Sequence, residues 1–186
     1  MTAIPSEKEE DLVKAAQRGD KEAFQELVTA YQGVVLGFLY RLGNEAHSVQ
    51  DLGQETFIKA WLALETYNHR HKFKSWLLKI AYNTTVDFWR RQRPSTDLQQ
   101  VSLRDTALDL EDQMSRNQHV DMVKQAIQSL PEQSRTALIL REYHQYSYQE
   151  IAHTLDIPLG TVMSRLNYAR STLKKRLQPL METMNA

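Results

Sequence analysis

The side chains best equipped for chemistry in this chain are cations and amides rather than nucleophiles. From 161 to 177 it carries Arg165, Arg170, Lys174, Lys175 and Arg176 without one acid, interleaved with Thr161, Met163, Ser164, Asn167 and Tyr168. From 70 to 93 it carries Arg70, Lys72, Lys74, Lys79, Arg90, Arg91 and Arg93 against the single acid Asp87. Cations in such runs neutralise phosphates and hold a strand without reading it. An amide such as Asn83 or Asn167 can donate and accept in one plane and so pair with a base edge. Groupings suited to catalysis are harder to find. There is no cysteine, which excludes disulfides, thiolate zinc sites and cysteine nucleophiles. The six histidines are scattered, and the one close pair, His69 and His71, lies in a basic stretch without a supporting carboxylate. No paired carboxylates, Gly-rich phosphate loop or nucleophile constellation stands out. The expectation is a binding protein that is not an enzyme, with no cofactor and no metal.

Residues 147–177 provide a scaffold for the second basic run. Ser147 and Glu150 have the spacing of a capping box, in which hydroxyl and carboxylate each satisfy a backbone N–H. Ile151, Ala152 and Leu155 then give a short helix its inward face. The Asp-Ile-Pro of 156–158 breaks it, because the residue before a proline is pushed out of helical geometry, while Pro158 is tolerated in the first turn of a following helix. There Val162, Leu166, Ala169, Leu173 and Leu177 form one apolar stripe and leave the cations on the other faces. Short helix, tight turn and a second helix with a basic outer face describe a helix-turn-helix, which lays its second helix in a DNA groove. A plain helical hairpin with solvated charges shares this pattern, so the rest of the chain has to decide.

With 186 residues, 41% hydrophobic and 25% charged, the chain fits a soluble globular protein of one domain or two small ones. Its formal net charge is zero, yet the charge is unevenly placed: residues 94–118 hold five acids and two bases, between two flanking regions with a small basic excess. The N-terminal stretch is acidic and lacks an apolar signal core. The longest nearly apolar run, 33–40, is far short of the ~20 residues that span a bilayer. A cytoplasmic protein without direct membrane insertion is expected.

Helical periodicity organises nearly all the remainder. Ser6 and Glu9 suggest a capping box opening a helix through Leu12, Val13 and Ala16, which Gly19 ends; Asp20 can cap the next. Phe24, Leu27, Val28, Tyr31, Val34, Val35, Phe38, Leu39 and Leu42 make a stripe wide enough for a core helix, closed by Gly43 and Asn44. A third helix runs from about 47 to 64, with Val49, Gly53, Phe57, Ala60, Trp61 and Leu64 on one side and Asp51, Gln54, Glu55 and Lys59 on others. A glycine in mid-helix costs about 1 kcal/mol against alanine, so Gly53 hints at a close neighbour. After a polar loop over 67–72, a fourth helix from 73 to about 91 turns Trp76, Leu77, Ile80, Ala81 and Val86 inward. Residues 94–116 show no sustained period and read as an acidic linker. Val120, Val123, Ile127 and Leu130 mark a further helix, and Ser129 with Glu132 suggests a cap for the next. No strand-like alternation appears. The expected fold is all-α: two small helical domains, 1–93 and 117–186, joined by a flexible linker over 94–116, the C-terminal one a helix-turn-helix.

Three stretches in series resemble the extracytoplasmic-function (ECF) branch of the bacterial RNA polymerase sigma factors. They are DLGQETFIKAW at 51–61; FKSWLLKIAYN at 73–83 with Asp87, Arg90 and Arg91; and LPEQ at 130–133 leading into SYQEIA at 147–152 and IPLGTV at 157–162. The resemblance implies that the first domain grips the polymerase clamp helices and opens the downstream (−10) promoter element. It implies that the second sets its recognition helix on the upstream (−35) element, and that the linker threads toward the polymerase active centre. Asp51, Gln54, Glu55 and Lys59 would then face core RNA polymerase. Asn68, His69, Arg70, His71 and Lys72 match the loop that receives a base flipped from the stack. Lys74, Lys79, Arg90 and Arg91 would hold phosphates, and Asn83 occupies a position like a base-reading asparagine. In the upstream reader, Thr161, Met163, Ser164, Arg165, Asn167, Tyr168, Arg170 and Lys174 are the candidates. Family members often carry a basic residue where Met163 and Tyr168 stand, so the upstream-element sequence read by relatives is not transferable. The resemblance further implies promoter DNA as partner, a role in stress response, and control by a membrane-linked anti-sigma factor.

Two rival readings remain. A free-standing helix-turn-helix regulator accounts for the C-terminal domain and leaves 51–61 and the Trp76 helix without a role. A nucleic-acid enzyme lacks any catalytic grouping to support it.

Overall fold

The structure is a computed structural model in which residues 5–92 and 114–184 are described. The chain divides into two compact units, 1–93 and 94–186. Both are helical, with no strand among the described residues. The linker expected over 94–116 lies outside those residues up to 113, and 114–116 already belong to a helix.

The N-terminal unit consists of α1 (Ser6–Gln17), α2 (Lys21–Arg41), α3 (Ala46–Ala63), a 3-10 turn (Leu64–Thr66) and α4 (Phe73–Gln92). The long α2 is its axis and packs against α1, α3 and α4. Its stripe is buried through Leu27, Val35, Phe38 and Leu39, with Leu42 beyond its end. From α3 come Val49, Leu52 and Ala60, and from α4 Leu77, Leu78 and Ala81. Gly53 is buried where α3 crosses α2. A Cβ there would stand 2.6 Å from Leu36 Cδ2, which is the close neighbour that the mid-helix glycine suggested.

Helix ends follow side-chain chemistry in some places and not in others. Asp20 caps α2, accepting from Ala23 N at 3.0 Å. Gly19 and Gly43 end the preceding helices with φ of 91° and 93°, values that cost glycine little. The box expected at Ser6 is not there. α1 starts one residue sooner, from Pro5 with φ −55°, and Glu9 instead accepts a hydrogen bond from Tyr31. Proline also replaces serine at the start of α6, where Pro131 is the cap and Ser129 Oγ donates backward to Ala126 O at 2.7 Å. In both cases the fixed φ of proline presets the helix entry.

The C-terminal unit consists of α5 (Met114–Gln128), α6 (Glu132–Glu142), α7 (Tyr148–Leu155) and α8 (Leu159–Met184). α8 packs on the other three. Val162, Leu166 and Ala169 are buried, while Leu173 and Leu177 are half-buried. The apolar face of α5 is only partly covered: Leu130 beyond its end is buried and Ile127 half-buried, but Val120 is 65% exposed. No described helix is long and apolar enough to cross a membrane.

Candidate functional site

Three surfaces gather the candidate residues. The first is on α3. At 100° per residue, Asp51, Gln54, Glu55, Ile58 and Leu62 fall within one third of the helix circumference. Asp51 and Gln54 are exposed, and between and beyond them Ile58 and Leu62 are 60% and 75% exposed. An acidic and amide rim around two uncovered aliphatic side chains has the make-up of a protein-docking face. Ile58 and Leu62 escaped the sequence reading because a search for the buried stripe discards apolar residues that fall off it. Their spacing to Asp51 and Glu55 was the available signal.

Lys59 lies beside that face and turns to α4. Its Nζ is 2.8 Å from Glu55 Oε1, donates to Thr84 Oγ1 at 3.3 Å and stands 4.0 Å from Asp87 Oδ2. Arg91 reaches Glu55 at 3.7 Å and Arg90 reaches Asp87 at 3.1 Å. All five side chains keep contact with solvent, so each pair contributes at most about 1 kcal/mol. Their joint effect is geometric, setting α3 against α4 and engaging Lys59 and Arg91 inside the unit.

The second surface is the 67–72 loop with α4. Lys79, Asn83, Val86 and Arg90 recur at steps of four, three and four, forming a single row along α4. Asn83 and Arg90 are exposed. Lys74 falls on another side of the helix, so the structure does not bring it into this row. The loop is tightly tied. Tyr67 is buried, and its phenol donates to His71 O at 2.6 Å. Burial raises the pKa of that phenol, and the charges of Glu9 and Glu10 add to the effect. Asn68 Oδ1 accepts from Arg70 N at 3.2 Å. His69 takes φ 58° and lays its ring 4.7 Å from that of Tyr67. Beneath the loop, Tyr67, Phe73 and Trp76 form a cluster with centroids 5.2 to 5.7 Å apart, and Trp61 packs on Phe24 at 5.0 Å. Both tryptophans thus serve as packing.

The third surface is α8 within the helix-turn-helix. The capping box of α7 is complete: Glu150 N donates to Ser147 Oγ at 3.2 Å and Ser147 N to Glu150 Oε2 at 2.8 Å. Asp156 makes the turn in the left-handed region, φ 55°, and Pro158 sits one residue ahead of α8, its carbonyl accepting from Thr161 and Val162. Ser164, Asn167 and Tyr168 then project opposite the buried stripe, together with Ser171 and Lys175. Arg165 and Arg170 flank that stripe instead. Arg165 donates to Gln133 Oε1 of α6 at 2.5 Å. Arg170 donates to Tyr148 Oη at 3.2 Å and Glu142 Oε1 at 3.1 Å, and these bonds raise its pKa further above the ordinary guanidinium value. Met163 is exposed, Thr161 half-buried, and Lys174 exposed.

The two units match two families in turn: residues 27–95 match Sigma-70 region 2, and residues 121–173 match Sigma-70, region 4. The RNA polymerase sigma-H factor of Pseudomonas aeruginosa is 40% identical over 96% of this chain and 98% of its own. The ECF RNA polymerase sigma-E factor of Haemophilus influenzae is 36% identical over 91% and 95%. Among solved structures, CnrH in complex with the cytosolic domain of CnrY superposes with a TM-score of 0.69 at 25% identity, over 92% of this chain and 98% of that one. The sigma factor RpoE of Bartonella quintana, solved with the anti-sigma factor NepR, has the same fold, with a TM-score of 0.65 at 22% identity over 83% and 96%. With an ECF RNA polymerase sigma factor 36% identical over more than nine tenths of both chains, and Sigma-70 regions 2 and 4 matched in order, the chain belongs to the ECF RNA polymerase sigma factors.

Proposed function

We propose a division of this sigma factor's work among the three surfaces. The α3 face, with Asp51, Gln54 and Glu55 around Ile58 and Leu62, docks on core RNA polymerase. Lys59 acts from inside as the tie to α4. Residues 68–72 receive an unstacked base of the downstream promoter element, Asn83 reads a second, and Lys72, Lys79 and Arg90 hold phosphates. The outer face of α8, led by Ser164, Asn167 and Tyr168, reads the upstream element, while Arg165 and Arg170 orient α8 on its neighbours. Residues 1–93 and 117–186 form the two working domains, with 94–116 as the linker between them. The protein works in the cytoplasm as a specificity subunit rather than a catalyst. An anti-sigma factor linked to the membrane holds it in reserve by covering the polymerase-docking surfaces.

The observation that carries this reading is the α3 face, where two large aliphatic side chains lie uncovered within an acidic and amide rim. Such a patch on a helix whose opposite side is core calls for a protein partner. A free-standing helix-turn-helix regulator gives it no purpose. Capture of core polymerase tests it: Asp51→Ala with Gln54→Ala, and separately Leu62→Ser, should each weaken capture about tenfold or more while helicity stays unchanged. Undiminished capture by both variants would refute the assignment.

A further inference from the structure

The base-receiving loop is held from a helix that none of the three surfaces includes. Gln17, the last residue of α1, sends its side-chain amide beneath the loop. Nε2 donates to Leu64 O at 3.1 Å and to Tyr67 O at 2.8 Å, and Oε1 pairs with His69 Nε2 at 3.2 Å. These partners lie 47, 50 and 52 residues away in sequence. The amide oxygen is only an acceptor, so the His69 proton is placed on Nε2. One planar group therefore fixes the start of the 3-10 turn, the carbonyl ahead of the loop, and the ring of the residue in left-handed geometry. A non-glycine residue there is held at a cost of about 1 kcal/mol or more, which requires such outside bonds.

We infer that Gln17 is a positioning residue for base selection: from α1 it sets residues 68–72 in their receiving shape before DNA arrives. The inference rests on the reading of 68–72 as the base-receiving loop. A loop ordered in advance does not lose its conformational entropy at the moment of binding, and only an ordered loop presents its donors and acceptors in a pattern that tells bases apart. Asn68, His69 and Arg70 contact the base, and Gln17 acts through them. Another constraint is Tyr67, whose phenol holds His71 O from the opposite end of the loop. Tyr67 is also part of the aromatic core, so its loss mixes packing with positioning. Half-buried at the end of its helix, Gln17 separates the two.

The test uses the full chain in two arms. In the first, amide exchange of the free protein is compared between wild type, Gln17→Leu and Gln17→Glu. The glutamate keeps an oxygen toward His69 and removes both donations. Both variants should exchange faster at Arg70, about fivefold, the factor carried by one ordinary hydrogen bond. In the second, open-complex formation with core polymerase is measured on promoters changed at single downstream bases. Gln17→Leu should flatten discrimination about fivefold at one base position and leave the other positions and polymerase capture as in wild type. Asn68→Ala and His71→Ala serve as tests of the loop itself. If they leave every base preference intact, the loop is not a reader and the selection role falls with it, whatever the exchange arm gives. If they alter the preference while Gln17→Leu does not, Gln17 has no positioning role. A common loss on all promoters with Gln17→Leu also overturns the inference, because it reports stability alone.

Discussion

Replacing Asn44 should unfasten the N-terminal unit at one identifiable place. At the end of α2, Leu42 N bonds to Phe38 O and Gly43 N to Tyr40 O, which leaves Leu39 O as the carbonyl to be satisfied. Asn44 Nδ2 donates to it at 2.8 Å, and Asn44 Oδ1 accepts from Trp89 Nε1 of α4 at 3.0 Å. Leu39 is fully buried and Trp89 half-buried. In Asn44→Ala the carbonyl of Leu39 loses its partner without access to water, at about 1–3 kcal/mol, and the indole loses a bond worth about 1 kcal/mol that water partly restores. The sum is about 3 kcal/mol, which at a urea slope of about 1.5 kcal/mol per molar moves the midpoint down by about 2 M. The assay is selective because Trp61, Trp76 and Trp89 are the three tryptophans of the chain and all lie in the N-terminal unit. Intrinsic fluorescence therefore follows that unit, while far-ultraviolet circular dichroism follows both. Trp89→Phe removes the indole donor alone and should cost about 1 kcal/mol. The double variant should cost less than the two singles together, since they share one bond. A midpoint shift below about 0.3 M for Asn44→Ala, or strict additivity with Trp89→Phe, would refute the reasoning.

Two further outcomes are expected. In α6 the buried Arg135 donates to Gln128 O at 2.7 Å, burial lowers its pKa, the charge of Glu132 opposes that shift, and Nε has no partner among the described residues. Arg135→Met, which keeps the apolar length and removes a partly satisfied charge, should stay within about 1.5 kcal/mol of wild type, whereas Arg135→Ala should lose about 2–4 kcal/mol. Circular dichroism should register the loss without a matching change in fluorescence, and a methionine variant less stable than the alanine one would contradict this. On α4, Asn83→Ala should change which downstream bases are tolerated, by about 1–3 kcal/mol at one position. Arg90→Ala should instead weaken all promoters alike and reduce their salt dependence. Open-complex formation on single-base variants at two salt concentrations separates them, and a uniform loss with Asn83→Ala would remove it as a reader.

Much of the fold was legible because its determinants are local or periodic. The α2 stripe, the glycines at 19 and 43, the Asp20 cap and the Ser147–Glu150 box each need only a few residues to specify them, and each stands as read. The two capping boxes that failed, at Ser6 and Ser129, share a cause: a proline adjacent to the true start, Pro5 or Pro131, already had the entry geometry. Spacing of serine and glutamate alone could not weigh that competition. Gly53 was legible as a close approach, but not that Leu36 would be the neighbour, because that depends on the crossing of α2 and α3.

Charge was the least legible property, and the reason is geometric. Sequence counts cations, whereas the fold gives some of them partners of their own in the free protein. Arg165 and Arg170 sit about a quarter to a third of a turn from the centre of the outer face of α8, close enough to the packing surface for Gln133, Glu142 and Tyr148 to engage them. Lys59 and Arg91 are held by Glu55 in the same way. What remains outward on α8 is largely hydroxyl, amide and phenol, with Lys175 behind them. Hydroxyl and amide groups read base edges through hydrogen bonds whose loss depends on the base opposite, whereas a lysine on phosphate loses the same energy on every sequence. Asn167→Ala and Tyr168→Ala should therefore alter upstream-element preference more than overall affinity, while Lys175→Ala should do the reverse.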